Sequence, residues 1–162
     1  MKIRRAKKGD LIKIWEIEKE SQGHHTKISQ AEYKILNKSK TDKKAKLEFI
    51  KGLQKEVNNK KVIFLVAEVS GNAVGWIWSK MGVWKWSDNP PKMLWIEDIG
   101  ILRKYRRKRI GQKLLDETEK IAKSKGMEYS YLTVWLKNKP AHNFYRKNKF
   151  EDFAIEMVKK LK

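Results

Sequence analysis

The stretch that most restricts the fold is an apolar segment, Met93 to Leu102, followed by six cations in seven residues, Arg103-Lys104-Tyr105-Arg106-Arg107-Lys108-Arg109, and then a helical pattern from Gly111. Leu114, Leu115, Thr118, Ile121 and Ala122 share one face of that helix, and Gly126 stops it. Tyr129 to Leu136 reads as another strand, so the block is a strand-helix-strand unit. Such a unit predicts two parallel neighbouring strands joined by a right-handed crossover. Ligands of open sheets sit beyond the carboxyl end of the strand, where the basic turn lies. Unpaired N–H groups, the positive helix end and the side-chain cations converge there, which suits a pyrophosphate. No Gly-Lys-Ser/Thr follows the turn and it lacks three spaced glycines, which excludes a Walker loop and a dinucleotide fingerprint.

Lys and Arg number 39 against 19 Asp and Glu, a net charge of +20 over 162 residues. Polyanions are therefore natural partners: nucleic acid, the ribosome, anionic lipid or a phosphate-bearing cofactor. With no cysteine there is no disulfide framework, thiolate nucleophile or Cys-based zinc site, and with only three histidines no metal centre is expected. Met1-Lys2-Ile3-Arg4-Arg5-Ala6 leads into Lys7-Lys8-Gly9-Asp10 rather than an apolar run, and nothing approaches the ~20 apolar residues of a membrane span. The expectation is one domain over residues 1–162, cytoplasmic and away from membranes.

Upstream, Lys2 to Ala6 reads as a short strand, and Gly9-Asp10 caps a helix whose Leu11, Ile14, Trp15 and Glu18 share a face. Residues 21–26 read as a loop through Gly23-His24-His25. Ser29-x-x-Glu32 is a capping box for a second helix with Tyr33, Ile35 and Leu36. Leu47, Ile50, Leu53 and Val57 mark a further helix ending at Asn58-Asn59. Val62 to Ala67 is a continuous apolar strand, Gly71-Asn72 a hairpin turn into a strand from Ala73 to Trp84, and Ser87 to Pro91 a loop. Pro140 opens a short helix to about Asn148, and Phe153 to Val158 reads as a last strand. The predicted fold is mixed α/β: a twisted, mostly antiparallel sheet flanked by helices on both faces, in the order β-α-α-β-β-β-α-β-α-β.

Two blocks carry a family resemblance. Ile96-Glu97-Asp98-Ile99-Gly100-Ile101, then Arg106-Arg107-Lys108-Arg109-Ile110-Gly111 before the leucine-rich helix, resembles the acetyl-CoA-binding segment of the GNAT N-acetyltransferase superfamily, Gln/Arg-x-x-Gly-x-Gly/Ala. Asn138-Lys139-Pro140-Ala141-His142-Asn143-Phe144-Tyr145, on to Phe150, is similar to that family's Asn-x-x-Ala-x-x-Phe-Tyr-x-x-x-Gly-Phe block. Arg109 and Lys149 stand at two of the family's glycine positions. Arginine does not easily adopt the positive φ that glycine allows, so Arg109 is expected to keep a negative φ.

The resemblance implies an acyltransferase that moves an acetyl group from acetyl-CoA to a primary amine by direct attack in a ternary complex. Cofactor grip is implied for Arg106, Arg107, Lys108, Arg109, Ile110 and Gly111, with Asn138, Ala141 and Tyr145 from the second block. A strand N–H near Ile99 to Ile101, left unpaired by a splay in the sheet, is the implied oxyanion donor. Tyr145 is the implied acid for the departing thiolate, and Glu97 or Asp98 the base for the ammonium. On a regular strand those two carboxyls face opposite ways unless a bulge intervenes. A homodimer is also implied, being frequent among similar proteins.

The competing reading is a nucleic-acid-binding module on the same scaffold, using the basic run and the tryptophans at 76, 78, 84, 86 and 95, which otherwise pack the sheet or line an acceptor groove. The positive charge disfavours polycationic acceptors and leaves a protein N-terminus, a lysine in an acidic context or a small amine.

Overall fold

The computed structural model describes residues 1–28, 42–85, 88–157 and 159. Its five strands lie side by side in chain order: β1 (Lys2–Arg5), β2 (Val62–Val69), β3 (Asn72–Val83), β4 (Lys92–Ile101) and β5 (Tyr129–Tyr131). All pairs are antiparallel except β4 with β5, the parallel pair that the strand-helix-strand pattern predicts. The helices are α1 (Leu11–Ile28), α2 (Asp42–Glu56), α3 (Ile110–Ser124) and α4 (Lys139–Lys147).

Both faces of the sheet are covered. On one, Ile14 and Ile17 of α1 and Leu53 of α2 pack with Phe64, Val66 and Trp76. On the other, Ile110, Leu114 and Leu115 of α3 pack with Ile63, Leu65, Ile77, Leu94 and Ile96, and Phe144 of α4 joins them. The run Val62 to Ala67 is buried throughout, as expected of a strand covered on both sides. Each fully buried leucine of α3 contributes about 1.5–3 kcal/mol, so the amphipathic stripe is enough to seat that helix.

Four expectations change. Residues 21–26 are not a loop: α1 continues through Gly23-His24-His25 to Ile28. An isolated helical glycine costs about 1 kcal/mol, which a helix already nucleated by packing absorbs. The predicted strand 129–136 pairs only over Tyr129–Tyr131, because β4 bulges at Glu97 and turns off the line of its neighbour after Trp95. No strand forms over residues 153–157, so the last β of the predicted order is missing among the described residues. Asp152 is bound by His142 and Arg146 of α4, and Phe153 lies edge-on against Trp84 and Tyr131, which ties this segment to side chains instead of a ladder. Finally, Arg109 takes φ 60°, not a negative value, and Lys149 takes φ 66°. The second helix expected after Ser29, along with Trp86, Ser87 and Val158, lies outside the described residues.

Candidate active site

The site is built around the bulge in β4. Ser79 pairs with Ile96 while Trp78 pairs with Asp98, leaving Glu97 as the extra residue. Leu94 and Ile96 before the bulge, and Ile99 and Ile101 after it, all pack on the α3 face. The alternation therefore slips by one, and Glu97 and Asp98 both turn to the α1 face. The acidic pair that a regular strand would split is delivered to one side.

Beyond Trp95 the β5-facing edge of β4 has no ladder partner among the described residues. The Leu102 N–H donates to the Val74 carbonyl at 3.0 Å, which sets the phase of the antiparallel ladder with β3. By alternation the amides of Ile99 and Ile101 point away from β3, into the gap. The Ile99 N–H is turned to the Asp98 carboxylate. The Ile101 carbonyl accepts from Arg106 Nε at 2.9 Å, leaving its N–H facing the splay. Of the two expected oxyanion donors, the Ile99 N–H is thus taken by Asp98, and the Ile101 N–H is the one that faces the gap.

A 3-10 turn, Arg103–Tyr105, carries the chain from that edge to α3. The Glu20 carboxylate of α1 accepts the Arg103 N–H, and Lys104 and Lys108 each lie 5.4 Å from the Tyr105 ring. Arg107, Lys108 and Arg109 are exposed, and Ile110 is buried as the anchor of the helix start. Arg109 caps α3 in the left-handed conformation and makes no side-chain capping hydrogen bond, so its guanidinium is not used to close the helix. The first amides of α3 and the cations of the turn follow one another directly at the end of β4. These residues fit the diphosphate of a coenzyme A.

Asn138 and Ala141 stand at the start of α4. Asn138 is buried and its Oδ1 accepts the Ala141 N–H at 3.3 Å, capping α4. The next turn of α4 sets Phe144 beside Gly111, where a Cβ would lie 3.6 Å from the ring. That crossing brings Tyr145, held edge-on between Phe144 and Phe150, toward Asp98. Burial, and then the Asp98 charge, push the Tyr145 hydroxyl well above its ordinary value, so it keeps its proton at physiological pH.

Asp98 titrates well above the usual carboxylate range, first through burial and then through the charge of Glu18 on α1, with which it shares a hydrogen bond. Glu97 is more exposed and lies 3.8 Å from Lys80 of β3. Glu18 is the residue that sequence reasoning placed on the packed face of α1 without giving it a role. A carboxylate inside an apolar stripe was the available signal.

A family model described as acetyltransferase (GNAT) family matches residues 26–150. The chain belongs to that family. As a GNAT acetyltransferase it is an acyltransferase, and its family uses acetyl-CoA as cosubstrate. An N-alpha-acetyltransferase from Sulfurisphaera tokodaii is 34% identical over 100 residues, which is 57% of this acetyltransferase and 58% of that protein. The match thus spans little more than half the length of that relative. In fold, the BH1408 protein of Bacillus halodurans superposes with a TM-score of 0.84 at 18% identity, over 99% of this chain and 100% of the other. An aminoglycoside 6'-N-acetyltransferase from Acinetobacter haemolyticus does so at 0.69 and 17%, over the full length of both. Among the described residues no cluster could hold a metal ion, and no helix is long and apolar enough to cross a membrane.

Proposed function

We propose that this chain acetylates the α-amino group of protein N-termini. The observation that carries the reading is the bulge at Glu97, which sets two carboxyls on one face of β4 beside an edge with outward-facing amides. The partial likeness to an N-alpha-acetyltransferase supports the α-amine over other acceptors. When bound, acetyl-CoA supplies a thioester carbonyl that an amine can attack.

Arg106, Arg107, Lys108, Arg109, Ile110 and Gly111 hold the diphosphate through backbone N–H groups and guanidinium donors. The Ile101 N–H donates to the oxygen that gains charge, in a gap where water competes poorly. Asp98 takes the proton that an incoming ammonium must lose, and Glu97, at the solvent side, attracts that ammonium. Tyr145 Oη supplies a proton at the sulfur end of the site.

Isothermal titration should show acetyl-CoA binding at micromolar concentration, and labelled acetyl-CoA should mark free N-terminal peptides but not the same peptides with blocked N-termini. Absence of acetyl-CoA binding would sink the reading; labelling confined to lysines, polyamines or aminoglycosides would reassign the acceptor. Tyr145→Phe should lower turnover about 100- to 10,000-fold with acetyl-CoA affinity nearly unchanged. Equal turnover removes Tyr145 as the acid.

A further inference from the structure

We propose that Trp84, Trp95, Tyr131 and Phe153 form a groove that reads the acceptor peptide a few residues in from its α-amine, selecting a large apolar side chain there, aromatic above all. It rests on the N-terminal acetylation reading above and adds the sequence that the enzyme selects.

Trp95 alternates with Leu94 and Ile96, which pack on the α3 face, so its indole lies on the α1 face with Glu97. Tyr131 is its register partner in the parallel pair and shares that face. The Trp84 N–H donates to the Pro91 carbonyl at 3.0 Å, which carries the ladder one residue past β3 and sets Trp84 on the face of Gly82. Gly82 makes the room: a Cβ there would stand 2.9 Å from the Trp95 ring. Lying over that glycine, the Trp95 indole meets Trp84 with the ring planes 6° apart and the centroids 6.5 Å apart. Tyr131 and Phe153 stand edge-on to Trp84 at 5.3 and 6.0 Å. With Val83 and Lys85, the two indoles and Tyr131 line a cavity of about 440 Å³, large enough for a side chain of any size.

Packing alone does not account for these rings. The core under α1 and α2 takes in Trp76 and Trp78 but neither Trp84 nor Trp95, and Phe153 is 77% exposed. Aromatic surface gathered and left open in this way marks a binding site. Its occupant follows from continuity with the catalytic edge. Trp95 precedes Glu97 by two residues, about 7 Å along the strand, and its register partner Lys80 lies 3.8 Å from Glu97. An extended peptide with its amine at Glu97 advances about 3.4 Å per residue, so its third residue comes level with the indoles. Lys85 at the rim, with no carboxylate among the described lining residues, disfavours a cationic side chain, so the rings are offered to an apolar one rather than to an ammonium.

The test is kcat/KM for peptides with a free N-terminus, Phe or Gly being placed at positions two to five in turn. Wild type should prefer Phe by about tenfold or more at its best position, through peptide KM rather than kcat. Trp84→Ala should cut that ratio to about twofold, with acetyl-CoA affinity within about twofold of wild type. A flat scan in wild type, or an undiminished ratio in Trp84→Ala, overturns the proposal. Should Trp84→Ala not fold, Phe153→Ala, at an exposed position outside both cores, carries the same expectation of a lowered ratio. Where no N-terminus is acetylated, the indole fluorescence of wild type is titrated with the same peptides in N-acetylated form. Tighter binding of the Phe peptide then keeps the groove and removes the acceptor reading. Equal binding, no binding, or a response only to a single-stranded oligonucleotide overturns the groove as a peptide site.

Discussion

Arg109 and Lys149 hold left-handed backbone at positions where similar sequences carry glycine. The strain is about 1–2 kcal/mol for an ordinary side chain, so the tertiary fold, not the residue, dictates the turn. Lys149 follows α4 directly, and its N–H and that of Phe150 close the helix on the carbonyls of Arg146 and Tyr145 at 3.0 and 3.1 Å. Lys149→Gly should relieve the strain against about 0.4–1 kcal/mol of added unfolded-state freedom. The expected result is a melting temperature higher by about 1–3 °C, read by calorimetry, with Lys149→Val lower than wild type. A fall in both variants would mean that the lysine contributes a contact worth more than the strain. A side chain in this region is illegible in sequence, since nothing in Arg or Lys announces a positive φ. Only the likeness of the flanking residues to a glycine-bearing pattern pointed to it.

At the scale of elements, the bulge in β4 and the close approach of α1 depend on each other. The bulge turns Asp98 to the α1 face, and Gly100 makes room for α1 to reach it. Gly100→Ala would drive a methyl into Trp76 Nε1 and Ile17, forcing α1 outward. We expect a loss of about 1–3 kcal/mol, read as a lower denaturation midpoint with an unchanged slope. We also expect a larger loss of turnover than of acetyl-CoA affinity, because the cofactor turn lies past the end of the strand. An alanine as active and stable as wild type would show that α1 does not set the position of Asp98. The strand 93–102, the helix from about residue 111 and the parallel strand after it were legible from apolar periodicity. The extra residue in β4 was not, because Glu97-Asp98 reads the same on a regular strand as on a bulged one.

For the whole molecule, the net charge of +20 raises the energy of the compact state, and the buried acid pair adds a pH dependence of known sign. Asp98 titrates higher folded than unfolded, so its contribution is fully present below about pH 4 and is lost as pH rises through its folded value. Chemical denaturation at pH 5 and pH 8 should show this loss in the wild type. In Asp98→Asn it should be reduced, leaving the variant more stable than wild type at pH 8 by about 1 kcal/mol or more while activity falls. An identical decline in wild type and variant would show that Asp98 is not the group responsible.

The linear order of residues determined the strand-helix-strand core, the cationic turn at the start of a helix and the second block that brings Tyr145, because periodicity, charge and spacing are properties of neighbours along the chain. The tertiary structure alone decided that Arg109 would turn left-handed, that β5 would stop at Tyr131, and that Glu18 would meet Asp98. Those outcomes depend on how β4 bends and how closely α1 approaches it, and residues 80 positions apart come together only when both are set.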